Sequence, residues 1–138
     1  MRFERSIEIA VPPEQAYAVY ADVERWPEWT ASVESVERLD EGPLRVGSSA
    51  KVKQPRLPGQ QWVVTAVDEG RSFAWETRGV GIVSLGIHEL EPTPTGCRAT
   101  AIVEMTGWMA PIAGRAARGL IDAYLKLETE GLKRRCED

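Results

Sequence analysis

The sequence predicts an α+β domain in which a curved antiparallel sheet of six to seven strands wraps around one long C-terminal helix, with short helices after the first strand. Three observations carry this. Between Ala31 and Trp108 the chain breaks into short strand-like runs separated by Gly, Pro and Asp, the pattern of consecutive antiparallel hairpins. After Ile112 the apolar period lengthens to three or four residues, that of an amphipathic helix. With 138 residues, 1–138 read as a single domain able to bury its own core. A sheet with one broad apolar face and one long helix to cover it is satisfied most simply by curling around that helix. Such closure is rarely complete, and a cavity left between the two is a default ligand site.

The elements follow in order. "RFERSIEIA" places Phe3, Ile7 and Ile9 near a period of two and reads as a strand. In "VPPEQAYAVYADVERW", Pro12 and Pro13 suit a first helical turn, and Glu14 suits the positive end of the dipole. Ala16, Val19, Tyr20 and Val23 then fall at helical spacing, and Pro27 stops the helix early. Six strand-like runs follow: "ASVESVERL", "GSSAKVKQ", "QQWVVTAV", "SFAWETR", "GIVSLGIHELE" and "CRATAIVEMTGW". The closing helix has about 24 residues, roughly 36 Å at the α-helical rise. Its apolar stripe is Ala113, Ala116 or Ala117, Leu120, Tyr124, Leu127 and Gly131.

Composition removes several classes of function. Hydrophobic residues at 43% and charged residues at 28% are ordinary for a globular protein. A net charge of −4 and a pI near 5.2 provide no basic field for a phosphate backbone, so nucleic acid is not an expected partner. Lys133-Arg134-Arg135 reads as a cationic helix end complementing the macrodipole. The opening residues lack the apolar segment of a signal peptide, and no run approaches a membrane span, so neither secretion nor membrane insertion is expected. Cys97 and Cys136 form no CxxC pattern and read as separate thiols of a cytoplasmic protein. One histidine and two scattered cysteines suggest no metal site, and no cofactor motif appears: G-x-S-x-G, a phosphate loop and H-E-x-x-H are all missing. The glycines of "GVGIVSLG" read as sheet bends.

The stretch "FERSIEIAVPPEQAYAVYADVERWPEW" resembles the opening of the START-like, helix-grip proteins grouped with polyketide cyclases/dehydrases and lipid-transfer proteins, the SRPBCC superfamily. Later pieces match in order: "W-x-V", "E-G-R-x-F-x-W", "H-E-L-E-P…G" and the ending "E-T-E-G-L-K-R-R-C-E". The resemblance spans the whole chain and implies a helix-grip fold with a cavity between sheet and long helix. Because this fold hosts binders, transporters, cyclases and hydrolases, it implies little about activity. By motif match Trp26 takes a place beside the cavity, whereas Trp29 reads as a pin between helix and sheet edge. Cyclase members tend to carry polar residues, including an arginine, inside the strand that begins at the W-x-V tryptophan. This chain has Val64 and Ala66 there.

Strand alternation nominates the lining. Trp62 and Val64 share a face with Ala66, Phe73 and Trp75 with Thr77, and Ser84 and His88 with Ile82, Gly86 and Leu90. Met105 falls beside Val103, with Trp108 just beyond, while Leu120, Tyr124 and Leu127 face them from the helix. His88 is the natural acid/base candidate and Tyr124 a second one. Ser84 lies about 13 Å along the strand from His88, too far for a dyad. Glu28, Glu76 and Glu89 read as solvated charge.

These features predict a protein that binds a small or medium hydrophobic molecule, lipid-like or aromatic polyketide-like, in contact with Trp26, Trp62, Val64, Phe73, Trp75, Ser84, His88, Met105, Trp108, Leu120 and Tyr124. No interior polar constellation for catalysis is expected. The alternatives are a cyclase/dehydrase-type enzyme using His88 or Tyr124, and a homodimer joined through Val83, Leu85 and Ile87 on the outer sheet face.

Overall fold

The computed structural model describes residues Met1–Asp138. The chain runs β1 (Arg2–Ile9), α1 (Pro13–Ala21), a 3-10 turn (Val23–Glu28), β2 (Ser35–Arg38), β3 (Ser49–Lys53), β4 (Gln60–Asp68), β5 (Ser72–Gly79), β6 (Ile82–Thr93), β7 (Gly96–Thr106) and α2 (Ala110–Glu137). One seven-stranded sheet forms in the order β1-β7-β6-β5-β4-β3-β2, antiparallel throughout. Apart from β1, which pairs with the last strand, the sheet is a meander. This is the predicted curved sheet around a long helix, with the short helices where the prolines place them.

Local chemistry explains the elements. Pro13 opens α1, whose buried face is Ala16, Tyr17 and Tyr20. Pro27 then withholds a donor that a longer helix would need, and Trp29 N–H closes a tight turn on the Trp26 carbonyl at 3.0 Å. Along β1, Phe3 and Ile9 are buried while Glu4 and Glu8 are exposed, a strand with one covered face.

The alternation predicted for β4 fails partway. Val64 pairs with Trp75 and Ala66 with Ala74, so Thr65 is the extra residue of a bulge. Past the bulge the faces exchange: Val67 packs on the core and Ala66 is exposed. The helix prediction also needs correction. α2 begins at Ala110 and has 28 residues, and Leu127, placed by spacing in the buried stripe, is 37% exposed. The buried line runs instead through Gly114, Leu125, Thr129, Leu132 and Cys136. On the convex sheet face Ala74 and Ile102 are buried, and Val83, Leu85 and Ile87 are half-buried. Both cysteines are free and buried, and burial pushes the Cys136 thiol up to about 11.

Two apolar clusters hold the layers together. The larger joins α1, the 3-10 turn and the C-terminal half of α2 to the sheet through Tyr20, Trp26, Trp29, Phe73 and Leu132. The smaller joins Phe3, Ala101 and Met105 to Ala110 and Leu125. Gly131 is essential to the first. A Cβ built there would fall inside the Trp29 carbonyl, whereas one at Gly119 would meet nothing. Gly131→Ala is therefore expected to destabilise by about 2 kcal/mol, because overpacking against backbone outweighs the better helix propensity of alanine. Gly119→Ala should stabilise by roughly 0.5–1 kcal/mol. Urea unfolding of the two variants beside wild type measures both, and equal signs would refute the assignment.

Candidate functional site

A cavity of about 240 Å³ lies between α2 and the concave sheet face, walled by members of both clusters. α2 contributes Ala117, Leu120, Ile121, Tyr124, Leu125 and Glu128, the faces at i, i+3, i+4 and i+7 that a helix presents to one side. The sheet contributes Trp62 from β4, Trp75 from β5, Ser84 and His88 from β6, and Met105 from β7. Gly86 makes room for the indoles. A Cβ at that position would press on the Trp75 ring at 3.2 Å and on Trp62 at 3.6 Å.

Most of the predicted lining is brought together here: Trp26, Trp62, Trp75, Ser84, His88, Met105, Leu120 and Tyr124 all reach the cavity. Three predicted residues do not. Trp108 is 72% exposed, because the strand ends at Thr106 and Gly107 turns the chain outward, so its ring lies over Gly81. Val64 is packed in the core outside the cavity wall. Phe73 lies beneath His88, stacked on it at 4.3 Å between ring centroids, and supports the site from behind. The two tryptophans of "WPEW" take different places. Trp26 lines the cavity, its indole N–H held by the Tyr20 carbonyl at 2.8 Å, while Trp29 is a buried pin against Gly131.

The expected lack of an interior polar constellation is overturned by Glu128. Its side chain is 13% exposed, and its Oε2 accepts a hydrogen bond from the Tyr20 hydroxyl. His88 Nε2 stands 4.0 Å from the same oxygen. Burial pushes the Glu128 carboxyl up to about 7, with the Tyr20 hydrogen bond opposing. Burial pushes His88 down to about 3, against the hydrogen bond to the Phe73 carbonyl. That bond, 3.2 Å from Nδ1, requires Nδ1 to carry the proton, which leaves Nε2 with a lone pair on the Glu128 side. Tyr20 is fully buried and its hydroxyl is raised well above its ordinary value, first by desolvation and then by Glu128.

Tyr124 has a different task. Its hydroxyl donates to the Pro55 carbonyl and ties α2 to the loop between β3 and β4, whose Gln54 and Leu57 complete the wall. Ser84 lies across from Met105 and Thr77 in the strand register, away from any nucleophile–base pair with His88. Glu28 bonds Arg135 and Glu76 bonds Arg78 on the surface, in keeping with solvated charge. No three metal-ligating side chains converge anywhere in the chain.

Sequence reasoning misses Glu128 and Tyr20. A signal for Glu128 exists: it follows Leu120 and Tyr124 at successive steps of four, so a carboxylate interrupts the very stripe that spacing turns toward the sheet. Spacing puts Tyr20 on the buried side of its helix, but nothing local shows that α1 brings it to α2.

Comparisons with known proteins agree with this architecture. A family model described as polyketide cyclase / dehydrase and lipid transport matches residues 1–137. A search of curated protein sequences returns no significant match. Among solved structures, the di-domain ARO/CYC StfQ of the steffimycin biosynthetic pathway superposes with a TM-score of 0.79 at 17% identity. That match covers 99% of this chain and 50% of StfQ, so the chain spans half the length of that protein. Norcoclaurine synthase of Thalictrum flavum gives 0.77 at 14% identity, covering 99% of this chain and 94% of the enzyme. The protein TTHA0849 of Thermus thermophilus gives 0.75 at 17%, covering 99% and 96%. At these identities the likeness is one of fold.

The buried carboxyl makes a pH-dependent prediction. A raised native pKa means that the unfolded chain gives up its proton first. The stabilisation is therefore complete below about 4.5 and is lost as pH rises through about 7. Glu128→Gln keeps an acceptor for Tyr20 but cannot ionise. It should gain on wild type between about pH 5 and pH 8.5 by roughly 2–3 kcal/mol. The His88 contribution is complete above about pH 6.5 and is lost toward about 3, so above that pH the difference reports Glu128. Denaturant unfolding of both proteins across this range tests it, and a pH-independent difference would contradict a buried, titrating Glu128.

Proposed function

The chain belongs to the polyketide cyclase/dehydrase and lipid-transport family, and from that premise we propose that it binds a small, flat hydrophobic molecule in the cavity between α2 and the sheet. The observation that carries this reading is the cavity wall: three tryptophans, Trp26, Trp62 and Trp75, with Met105, Leu120 and Ile121, and a few polar side chains of which Glu128 is the one carboxylate. Aromatic walls offer large contact area at modest entropy cost, and a small polar cluster fixes orientation. A cavity of about 240 Å³ suits a molecule of one or two rings better than an extended acyl chain.

One observation favours a second reading, an enzyme of the cyclase or dehydrase type. Glu128 and His88 face each other across 4.0 Å with protonation states set apart by burial, as acid/base pairs require. In that case Glu128 is the proton donor or acceptor and His88 Nε2 its partner, in place of the predicted His88 or Tyr124 acting alone. Turnover of a bound polyketide-like substrate that disappears in Glu128→Gln while binding persists would establish it.

Native mass spectrometry of freshly purified protein, with organic extraction of any adduct, tests the binding reading directly. A stoichiometric apolar adduct is expected, and a bare mass after incubation with an aromatic and lipid panel would count against the reading. Trp62→Ala should weaken binding of a retained ligand by roughly 10- to 100-fold through lost aromatic contact. Trp108→Ala, outside the cavity, should leave it unchanged. Ligand titration followed by tryptophan fluorescence measures both.

A further inference from the structure

The charge distribution around the cavity restricts its ligand further. None of the lining residues is Lys or Arg, so Glu128 faces the cavity with no counter-charge. Four elements meet around it. α1 supplies Tyr20, whose hydroxyl donates to Oε2; β6 supplies His88; α2 supplies Tyr124, whose hydroxyl is committed to Pro55; and the 3-10 turn supplies Trp26. No protein donor reaches Glu128 Oε1 in the structure. His88 donates through Nδ1 to Phe73 and is left with an acceptor at Nε2. Glu128 Oε1 and His88 Nε2, the uncommitted polar atoms of these two side chains, are therefore both acceptors.

Aromatic rings pack around His88. Trp26 lies 5.4 Å and Trp75 5.9 Å from the His88 ring, and the two indoles are 5.4 Å from each other. Resting on the reading that the cavity holds a small hydrophobic molecule, we propose that this ligand carries a protonated amine, seated on Glu128 and His88 Nε2. An ammonium supplies up to three donors to a carboxylate and an imidazole nitrogen that accept, and it provides the counter-charge that the protein omits. An anionic ligand, a fatty acid for example, would place a like charge beside Glu128 in a desolvated site with no cation to offset it. The same geometry thus selects amines and rejects carboxylates.

Three probes of one shape separate the possibilities: naphthylethylamine, naphthylethanol and naphthylacetate, titrated calorimetrically into the intact protein. At about pH 8 the amine should bind at least roughly tenfold more tightly than the alcohol, and the acetate more weakly than the alcohol. Glu128→Gln should bring amine and alcohol to within about twofold. In wild type, amine affinity should fall roughly tenfold from about pH 8 to pH 6 as Glu128 takes up its proton, while the alcohol stays level. That titration carries the test if the variant does not fold. An alcohol that binds as well as the amine, or an amine preference that survives in Glu128→Gln, overturns the inference and leaves the cavity reading intact. Failure of all three probes to bind overturns both.

Discussion

The structure depends on how α2 is fixed at its two ends. Near its start, Gly114 packs directly against Met1, whose ammonium donates to the Met105 carbonyl at 2.9 Å. Near its end, Gly131 rests on the Trp29 carbonyl, a contact that no side chain would permit. Close approach at both ends uses residues without a Cβ. Between them stand Ala117, Leu120, Ile121 and Tyr124, whose side chains meet the sheet across a gap. The cavity lies between a helix of 28 residues, held near both ends, and the concave face of the sheet.

Position of the helix in turn decides the electrostatics. Glu128 lies one turn before the Gly131 contact, where α1 and the 3-10 turn also press against α2. An exposed glutamate at this helical position would be unremarked; pinned here, its carboxyl meets Tyr20 and His88, and burial pushes its pKa up to about 7. The helix clamp and the acid chemistry are consequences of one packing arrangement. The same elements make Trp26 a wall of the cavity and Trp29 part of the clamp, so that two tryptophans three residues apart serve different ends.

Phe73 and the β4 bulge show how the wall is backed. Phe73 stacks on His88 and its carbonyl selects the histidine tautomer, so a residue outside the cavity sets which nitrogen faces Glu128. The bulge at Thr65 lets β4 keep Trp62 on the cavity while turning Val67 into the core beyond. Curvature and site geometry are again coupled.

Periodicity and punctuation by themselves determined the element order, the six-strand meander of β2–β7 and the long closing helix, because a change of period from two to about 3.6 is written locally in the chain. Strand alternation likewise placed Trp75, Ser84, His88 and Met105 on one concave face, since their strands run without a break in register. Where one residue interrupts the pattern, alternation lost its hold: Thr65 exchanged the faces of Val64's strand, and Gly107 turned Trp108 into solvent. Helical spacing could not choose between Leu127 and Glu128, neighbours about 100° apart on a stripe of finite width. Only the tertiary structure decided that Glu128 turns inward, because the choice rests on Tyr20, more than a hundred residues away, and on a glycine contact that sets the rotation of α2. Long-range contacts of that kind leave no local signature, and here they determine the chemistry of the site.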